Sequence, residues 1–436
     1  MLTLLTLALA PQVAAPAAGG FPATPTRRPR TDRPNIVFIL ADDFGVNMVS
    51  GYGEVPDPPC TPNIDNLASD GLLFRNAWAN PSCTPTRGAL MSGRYGFRTG
   101  LGSPGGLLEL SEVTLPETLN GYYSAALGKW HLAGPGGSTN HPNDSGFDHY
   151  AGSLGGGIGN YFSWSKTTNG SQAQTTVYGT EDLTNDAIEM VQTMPAPWFL
   201  YMSYNAPHTP FHVPPSSICQ AAQCGTTFCG NLGPNPSSPD LAKAMTEAMD
   251  AEIGRFLSAL DVVDPSAIVI FMGDNGTARA ATEAPFVMNR AKGSPYEGGV
   301  NVPLIVRGPR VARGETQALV APVDIYATIA ELAGGEALTE DSVSFVPTLR
   351  NPATSPRQLA YAEGFSPNGA GPYAEHNRSV REDRYKLIRQ LGEPDELYDL
   401  QLDPFEQTNR LDLGLTPVEQ AAYDTLLAEL VRLGVD

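Results

Sequence analysis

Oxygen-bearing side chains follow two apolar runs of the sequence and are suited to holding a metal ion. Asp42 and Asp43 come directly after the run at 35–41, and Asp274 and Asn275 follow the run at 267–272. Three carboxylates and one amide offer hard oxygen ligands, which suit Ca²⁺, or alternatively Mg²⁺, better than zinc. A metal ion held there would bind one oxygen of an anionic ester and polarise a nucleophile.

Cationic side chains and histidines provide further candidate site residues. Arg87, Lys129 and Lys292 supply positive charge that would stabilise a bound anion. His131 and His208 are candidate general acid–base groups. A lone histidine is more often a structural residue than a catalytic one, and we apply that interpretation to His141, His149, His212 and His376.

One cysteine lies in a short motif, Cys83-Thr84-Pro85-Thr86-Arg87. Taken alone, this motif is compatible with a small buried thiol or with half of a disulfide. The next residues, Gly88 to Arg94, read Gly-Ala-Leu-Met-Ser-Gly-Arg and make the motif longer and more specific. The role of Cys83 therefore depends on the rest of the chain.

The elements that must position these residues are predicted as alternating strands and helices. Apolar runs at 35–41, 198–203 and 267–272 indicate buried strands, and the segments 182–192 and 241–260 read as helices. Strands that alternate with helices form a parallel sheet with helices on both faces. Ligands of such sheets bind at the carboxyl ends of the strands, where the polar clusters fall.

The character of the chain changes after about residue 350. Short β-like pieces and a final helix at 417–433 predict a small antiparallel subdomain. The predicted fold is thus α/β: a large mixed, mostly parallel sheet sandwiched by helices in a catalytic domain at 35–350, and a C-terminal antiparallel-sheet subdomain with a helix at 351–436. Residues 133–180 are rich in Gly, Ser, Thr and Asn, and we expect long surface loops that select the substrate.

The N-terminal region reads as a targeting segment. An apolar run and Ala15-Pro16-Ala17 predict a signal peptide at 1–20, and the Pro- and Arg-rich stretch at 21–34 reads as a linker. No later segment reaches the ~18 uninterrupted apolar residues that a membrane span needs. We therefore expect an exported protein, periplasmic or secreted, without a transmembrane segment.

Charge and cysteine content narrow the partners and the compartment. The net charge of −19 argues against a nucleic-acid surface or an anionic membrane partner, but a local basic pocket could still bind a small anion. If Cys83 is chemically engaged, four cysteines remain, an even number that suits an oxidising compartment. Three of them crowd one insertion, where we expect one disulfide, and the pairing stays open; the four are Cys60, Cys219, Cys224 and Cys229.

Six motifs occur in the order in which type I sulfatases have them, and the chain resembles that family from about residue 35 to Asp403-Pro404. The motifs lie at 35–45, 83–87, 128–131, 206–210, 273–276 and 292–299. The resemblance covers nearly the whole mature chain and is highly specific. The segment at 286–291 departs from the family's Arg/Gly-rich form, which bears on substrate preference rather than on catalysis.

The resemblance implies roles for the candidate residues. Cys83 would be oxidised to formylglycine (3-oxoalanine) by a formylglycine-generating enzyme, and Arg87 would hold the hydrate of that aldehyde. Lys129 and Lys292 would bind sulfate, His131 would act as the base on the formylglycine hydroxyl, and His208 with Lys292 would bind the substrate and protonate the leaving oxygen. The Ca²⁺ ligands implied are Asp42, Asp43, Cys83, Asp274 and Asn275.

The implied activity is hydrolysis of a sulfate ester, on a sulfated small molecule or saccharide, with aryl sulfates as surrogates. One hydroxyl of the hydrated aldehyde would attack sulfur, and the other would then expel sulfate after deprotonation by His131. Two alternatives remain open at this point. One is a phosphodiesterase or phosphonate monoester hydrolase of the same superfamily, and the other is an unmodified sulfoglycan-binding protein without catalysis.

Overall fold

The structure, a computed structural model, describes residues 33–219, 228–336 and 339–435, and this part of the chain contains two β-sheets. Residues Arg33–Asp436 form one compact unit. The predicted signal peptide and nearly all of the predicted linker lie outside the described residues. Among the described helices, none combines the length and the apolar character that a membrane crossing requires.

Ten of the described strands form the larger sheet. Their bounds are β1 Ile36–Ala41, β2 Leu72–Ala77, β3 Tyr123–Gly128, β4 His149–Gly152, β5 Trp164–Thr168, β6 Ser171–Thr175, β7 Trp198–Ser203, β8 Ile268–Gly273, β9 Leu304–Arg307 and β10 Gly314–Val320. They lie side by side in the order β10-β2-β9-β8-β1-β7-β3-β4-β5-β6.

The centre of this sheet is parallel, and its flanks are mixed. Strands β8, β1, β7, β3 and β4 all run in the same direction. Strand β9 is antiparallel to both of its neighbours, and β5 and β6 form an antiparallel hairpin at one edge. This arrangement confirms the predicted mixed, mostly parallel sheet.

Helices cover both faces of the large sheet. The described α-helices are α1 Pro62–Ser69, α2 Cys83–Ser92, α3 Gly96–Thr99, α4 Leu115–Thr118, α5 His141–Asp144, α6 Gly179–Thr193, α7 Ser216–Cys219, α8 Ser238–Val263, α9 Glu297–Val300, α10 Pro322–Leu332, α11 Val346–Arg350 and α12 Pro417–Leu433. Single 3₁₀ turns lie at Val46–Met48, Ser50–Tyr52, Arg279–Ala281, Met288–Arg290 and Arg410–Leu413.

The central strands are continuous apolar runs because both of their faces are buried. In β1, Val37 and Ile39 belong to the core that contains Met249 of α8, whereas Phe38 belongs to the opposite core with Ile325 of α10. Successive strand residues point to opposite faces, so a strand between two helical layers has no polar face.

The expectation of long surface loops at 133–180 is wrong in part. This segment contains α5 and three strands, β4, β5 and β6, which extend the large sheet beyond β3. The strand β6 reads Ser-Gln-Ala-Gln-Thr and is mostly exposed, so it lacks the apolar alternation that would have revealed it.

The smaller sheet and the last helix confirm the predicted C-terminal architecture. Its strands run antiparallel in the order β11 Ala360–Ser366, β12 Glu375–Arg381, β13 Tyr385–Gln390 and β14 Glu396–Asp399. A disulfide joins Cys219 to Cys229, which confirms the bond expected within that cysteine cluster. Cys60 is disulfide-bonded as well.

A buried ion network connects the smaller sheet to helix α9. Lys386 of β13 is fully buried, and its Nζ lies 3.0 Å from Oε1 of Glu297 and 2.8 Å from Oε1 of Glu406. Burial raises the pKa of Glu406 to about 7. Burial would also raise the pKa of Glu297, but Lys386 and Arg381 outweigh it and lower that pKa. Lys386 is thus the main cation that holds two buried carboxylates together.

We predict that Lys386→Met lowers the free energy of unfolding by about 3–5 kcal/mol, because two buried carboxylates lose their cation. The loss should be larger at pH 8 than at pH 5. Without Lys386 the folded protein binds protons at Glu406 more tightly than the unfolded chain does, so stability falls as pH rises. Denaturant unfolding at both pH values measures this.

Arg432→Met is the matched control. The side chain of Arg432 is exposed in its pair with Glu429, so the substitution should change stability by about 1 kcal/mol or less. A loss for Lys386→Met no greater than that of the control, or one independent of pH, would contradict the prediction.

Candidate active site

The predicted site residues converge at the carboxyl edge of the central strands. Asp42 and Asp43 follow β1, and Asp274 and Asn275 follow its neighbour β8. On the other side of β1, β7 leads to His208, and beyond it β3 ends one residue before Lys129. Since these strands are parallel and adjacent, all four groups of residues lie at the same edge of the sheet, where the strands end.

The carboxylates form a compact cluster with Cys83. One oxygen each of Asp42 and Asp274 and the Sγ of Cys83 lie within 4.8 Å of one another. Oxygens of Asp42 and Asp43 and a ring nitrogen of His208 satisfy the same limit. Nδ2 of Asn275 donates to Oδ1 of Asp43 at 2.9 Å, which turns its own Oδ1 away from that carboxylate.

Two oxygens of this cluster are buried without a hydrogen-bond partner among the described residues: Oδ1 of Asp42 and Oδ1 of Asn275. A buried acceptor without a donor costs about 1–3 kcal/mol, so such atoms at one place indicate a ligand. The donor set of carboxylates and one amide oxygen fits a hard divalent cation such as Ca²⁺.

Cys83 is the first residue of helix α2, which is buried along its whole length. Ser82 is the N-cap, and Pro85 occupies the first turn, where its missing N–H has no intrahelical role. Arg87 stands one turn after Cys83, on the same face of the helix. The amide groups of this first turn and the helix dipole favour negative charge beside Cys83.

Arg87 uses its whole guanidinium group. Nε and Nη2 donate to Oδ2 of Asp274 at 3.1 and 2.8 Å. Nη1 donates to the carbonyl oxygen of Lys129 at 2.9 Å and to the hydroxyls of Ser203 at 2.7 Å and Tyr201 at 3.3 Å. The side chains of Arg87 and Asp274 are both 0% exposed, so this pair is fixed in the interior.

Each remaining carboxylate also has its own cation. Nζ of Lys129 donates to Oδ2 of Asp42 at 2.6 Å, and both side chains are fully buried. Lys292 forms an ion pair with Oδ1 of Asp43 and remains partly exposed. Each of the three carboxylates of the cluster is therefore paired with one cation.

The two candidate histidines contact different members of the cluster. Nδ1 of His131 is 3.2 Å from Sγ of Cys83 and 3.2 Å from the hydroxyl of Thr84. Nε2 of His208 lies 3.9 Å from Oδ2 of Asp43, and Nδ1 lies 2.8 Å from the carbonyl oxygen of Thr209. His131 is positioned to exchange a proton with residue 83, and His208 is more exposed.

Burial and neighbouring charge shift the titration of these groups. Burial raises the pKa of Asp42 to about 6, although Lys129 opposes the shift. Burial would raise the pKa of Asp274 as well, but Arg87 and the two lysines lower it to about 2. Burial and the adjacent Lys129 and Arg87 lower the pKa of His131 to about 2, so its imidazole is neutral.

The backbone at two of these residues is held in the left-handed region. Asp43 has φ 60° and His131 has φ 61°. A residue other than glycine adopts this conformation at a cost of about 1–2 kcal/mol, and such residues concentrate at functional sites.

Sequence reasoning missed Thr84, Tyr201 and Ser203. Tyr201 and Ser203 are two residues apart in β7, so they lie on the same face of the sheet. They stand in an apolar run, and the alternation of side chains along the strand was the only signal that pointed to them. The four histidines expected to be structural do have other partners: His141 contacts Trp130, His149 lies near Asn169, His212 stacks on Tyr161, and His376 lies 3.2 Å from Glu363.

Comparison with known protein families gives two matches. The profile of the family described as Sulfatase matches residues 34–335. A second profile, N-sulphoglucosamine sulphohydrolase, C-terminal, matches residues 291–432. Together they span the described sheets.

Individual relatives agree with the family profiles. Arylsulfatase A of Bos taurus is 31% identical, over 91% of this chain and 86% of the relative. N-acetylgalactosamine-6-sulfatase of Mus musculus is 28% identical, over 76% of this chain and 69% of the relative. The solved structure of Ps i-CgsB in complex with k-i-k-neocarrahexaose is 26% identical with a TM-score of 0.78, over 92% of this chain and 93% of that chain.

Proposed function

The chain belongs to the sulfatase family and is a sulfuric ester hydrolase, and on that premise we propose that it removes sulfate from a sulfated carbohydrate with an oxidised Cys83 and a bound Ca²⁺. Aryl sulfates would serve as surrogate substrates. The observation that carries this proposal is the position of Cys83. Its Sγ lies beside Asp42 and Asp274 and within reach of His131.

The environment of the Cys83 thiol disfavours direct thiolate chemistry. Cys83 is 2% exposed, and burial raises the pKa of its thiol, so the reactive thiolate is disfavoured. When oxidised to formylglycine, residue 83 supplies a hydrated aldehyde with two hydroxyl groups. A formylglycine-generating enzyme is therefore the maturation partner that this proposal requires.

The metal would be held by Asp42, Asp43, Asp274 and Asn275, with residue 83 completing the set. The unpartnered Oδ1 atoms of Asp42 and Asn275 are the oxygens that most need a cation. A Ca²⁺ ion held there would supply Lewis-acid chemistry for the sulfate group and for the nucleophile.

The chain's own cations and histidines divide the remaining work. Lys129 and Lys292 neutralise oxygens of the sulfate group, while Arg87, fixed by Asp274, orients residue 83 from one helical turn away. His131, neutral and 3.2 Å from Sγ, accepts the proton of a hydroxyl on residue 83. His208 donates a proton to the departing alcohol, assisted by Lys292.

The names of the relatives support a carbohydrate substrate. They include an N-acetylgalactosamine-6-sulfatase, and Ps i-CgsB was solved with an oligosaccharide. The disulfide at Cys219–Cys229 and the second disulfide at Cys60 suit an oxidising compartment, which agrees with the predicted export to the periplasm or outside the cell.

The first prediction from this proposal concerns the ester. The kcat/KM for an aryl sulfate should exceed that for an aryl phosphodiester by about tenfold or more, a difference of about 1.4 kcal/mol. A sulfate monoester presents three terminal oxygens to the metal and the lysines, whereas a diester presents two. A higher kcat/KM for the diester would contradict the proposed sulfate-ester hydrolysis and would favour phosphodiester hydrolysis instead.

Within the same assay, Lys292→Met should lower kcat/KM for the aryl sulfate by about 10²-fold or more, since it removes a cation from the transferred group. Lys243→Met is the matched control, since Lys243 is also ion-paired, but with Asp57 and Glu283, which do not belong to the cluster.

The second prediction concerns residue 83. Serine has one hydroxyl, which can attack sulfur and release the alcohol but cannot then expel sulfate. Cys83→Ser should therefore release about one equivalent of alcohol per site and stop as a covalent adduct. Intact-mass measurement should find one sulfo group on residue 83, and none in Cys83→Ala. Sustained turnover by Cys83→Ser would contradict the elimination step.

The third prediction concerns the metal. After chelation, added Ca²⁺ at 100 times its Kd should stabilise the protein by about 2.7 kcal/mol, measured by thermal or denaturant unfolding. Asn275→Ala should reduce this stabilisation, because it removes a ligand oxygen.

Asn301→Ala is the matched control, since Oδ1 of Asn301 is also buried without a hydrogen-bond partner among the described residues but lies outside the cluster. The metal assignment would be wrong if Ca²⁺ gave no stabilisation, or if Asn275→Ala responded to Ca²⁺ like the control.

A further inference from the structure

A second cavity adjoins the candidate active site. This cleft, of about 440 Å³, lies between the loop 153–160 and the β5–β6 hairpin, and we call it the hairpin cleft. Its lining includes Gly157 and Asn160 of the loop and Ser165, Thr167, Gln172 and Gln174 of the hairpin.

The loop side of the hairpin cleft touches both candidate histidines. A Cβ atom built on Gly156 would lie 2.5 Å from Nε2 of His131, and one on Gly157 would lie 3.1 Å from Nδ1 of His208. Only glycine permits the first approach, so the backbone runs directly against these rings. The same segment lines the cleft, and a group leaving residue 83 past His208 would meet it.

The hairpin side is a polar, uncharged surface. Cross-strand pairs put Ser165 opposite Gln174 and Thr167 opposite Gln172, all on one face of the hairpin. The charge of the hairpin is on the other face, where Nζ of Lys166 pairs with Asp182 at 2.7 Å and Asp186 at 2.6 Å.

The lining has the chemistry of a site for an uncharged polyol. None of the described residues that line the hairpin cleft is Asp, Glu, Lys, Arg or His. Hydroxyls and amides both donate and accept hydrogen bonds, as the hydroxyls of a sugar do. The side chain of Gln174 has no hydrogen bond within the described chain and is exposed, so its amide is available to a ligand.

A carboxylate or a second sulfate in this cleft would be poorly stabilised. The anion would lose its hydration without gaining an ion pair with a cationic side chain of the lining. The net charge of the protein, −19, would add to the repulsion. The cationic side chains of the site, by contrast, are turned toward residue 83 and the carboxylates.

We propose that the hairpin cleft binds the saccharide that carries the scissile sulfate, and that it selects an uncharged, hydroxyl-rich sugar over one bearing a uronate or a second sulfate. This inference rests on the proposed sulfatase function and specifies its substrate class. The β5–β6 hairpin is then the specificity-determining element of the chain.

The test uses the full-length mature enzyme and three kinds of probe. These are 4-nitrophenyl sulfate, a set of monosulfated lactose isomers, and monosulfated chondroitin disaccharides that carry a uronate. For the wild type, kcat/KM for the best lactose isomer should exceed that for the best chondroitin disaccharide by about tenfold or more.

Gln174→Glu puts a negative charge into the cleft with little change of shape. It should lower the ratio of lactose-sulfate to aryl-sulfate kcat/KM by about two- to tenfold, the effect of about one hydrogen bond. Ser171→Glu adds the same charge to the same strand on the opposite face, and it should leave that ratio unchanged.

The outcomes separate the inference from the function it rests on. Hydrolysis of 4-nitrophenyl sulfate together with equal or faster turnover of uronate-bearing disaccharides, or with no turnover of any disaccharide, overturns the inference and leaves the sulfatase activity. The same ratio for Gln174→Glu and Ser171→Glu also overturns it. Failure to hydrolyse any sulfate ester overturns the proposed function itself.

Discussion

The buried ion pair between Arg87 and Asp274 is the constraint on which the site depends. A buried guanidinium without a carboxylate is strongly unfavourable, so the end of β8 and the middle of α2 must meet at one place and in one orientation. That contact places Cys83, one turn earlier in the helix, beside the carboxyl ends of β1 and β8. The carbonyl of Lys129 and the hydroxyl of Ser203 accept from the same guanidinium, so β3 and β7 are fixed to the same point.

The same arrangement explains why charges of both signs can be buried here. Lys129 pairs with Asp42, and Lys292 with Asp43, so each acid has a cation at one oxygen while another oxygen of the cluster stays without a donor. Those oxygens are suited to bind a metal ion. The two lysines are suited to bind an anion. The left-handed backbone at Asp43 and His131 is consistent with a site whose side chains are aimed for a function at some cost in stability.

Much of the fold was predictable because the central strands are continuous apolar runs, which indicate strands that are buried on both faces of a sheet. Strands β1, β7 and β8 are apolar on both faces, and the polar residues that follow them had to collect at one edge of a parallel sheet. The β5–β6 hairpin was not predictable in this way, since its exposed strand carries no hydrophobic pattern. Helix α2 was also hidden, because Pro85 and Gly88 obscure a segment that tertiary packing buries completely.

The candidate site was predicted in its charged residues and not in its neutral ones. A carboxylate or lysine at a strand end is visible as a change of polarity, whereas Ser203 and Tyr201 are two members of a buried strand that differ from their neighbours by one hydroxyl each. Their partner, Arg87, is distant in sequence, and only the folded chain shows that its Nη1 needs those acceptors. The uncharged residues of such a site are therefore identified from the packing of the folded chain and not from the sequence pattern.

Charge alone would not let this site distinguish a sulfate monoester from a phosphate diester, because both groups are monoanions and meet the same three cations. Shape can distinguish them. In the mechanism we propose, the transferred group approaches residue 83 at the closed end of the site, where Cys83 is 2% exposed, Lys129 is 1% exposed and Arg87 is fully buried. A sulfate monoester brings only small terminal oxygens to that end and directs its one organic substituent outward, past His208. A diester must bring a second organic substituent to the same sulfur-sized space, where it would displace an oxygen from the lysines. In that mechanism the closed end would favour a terminal group, and the open side, with its uncharged cleft, would recognise the alcohol.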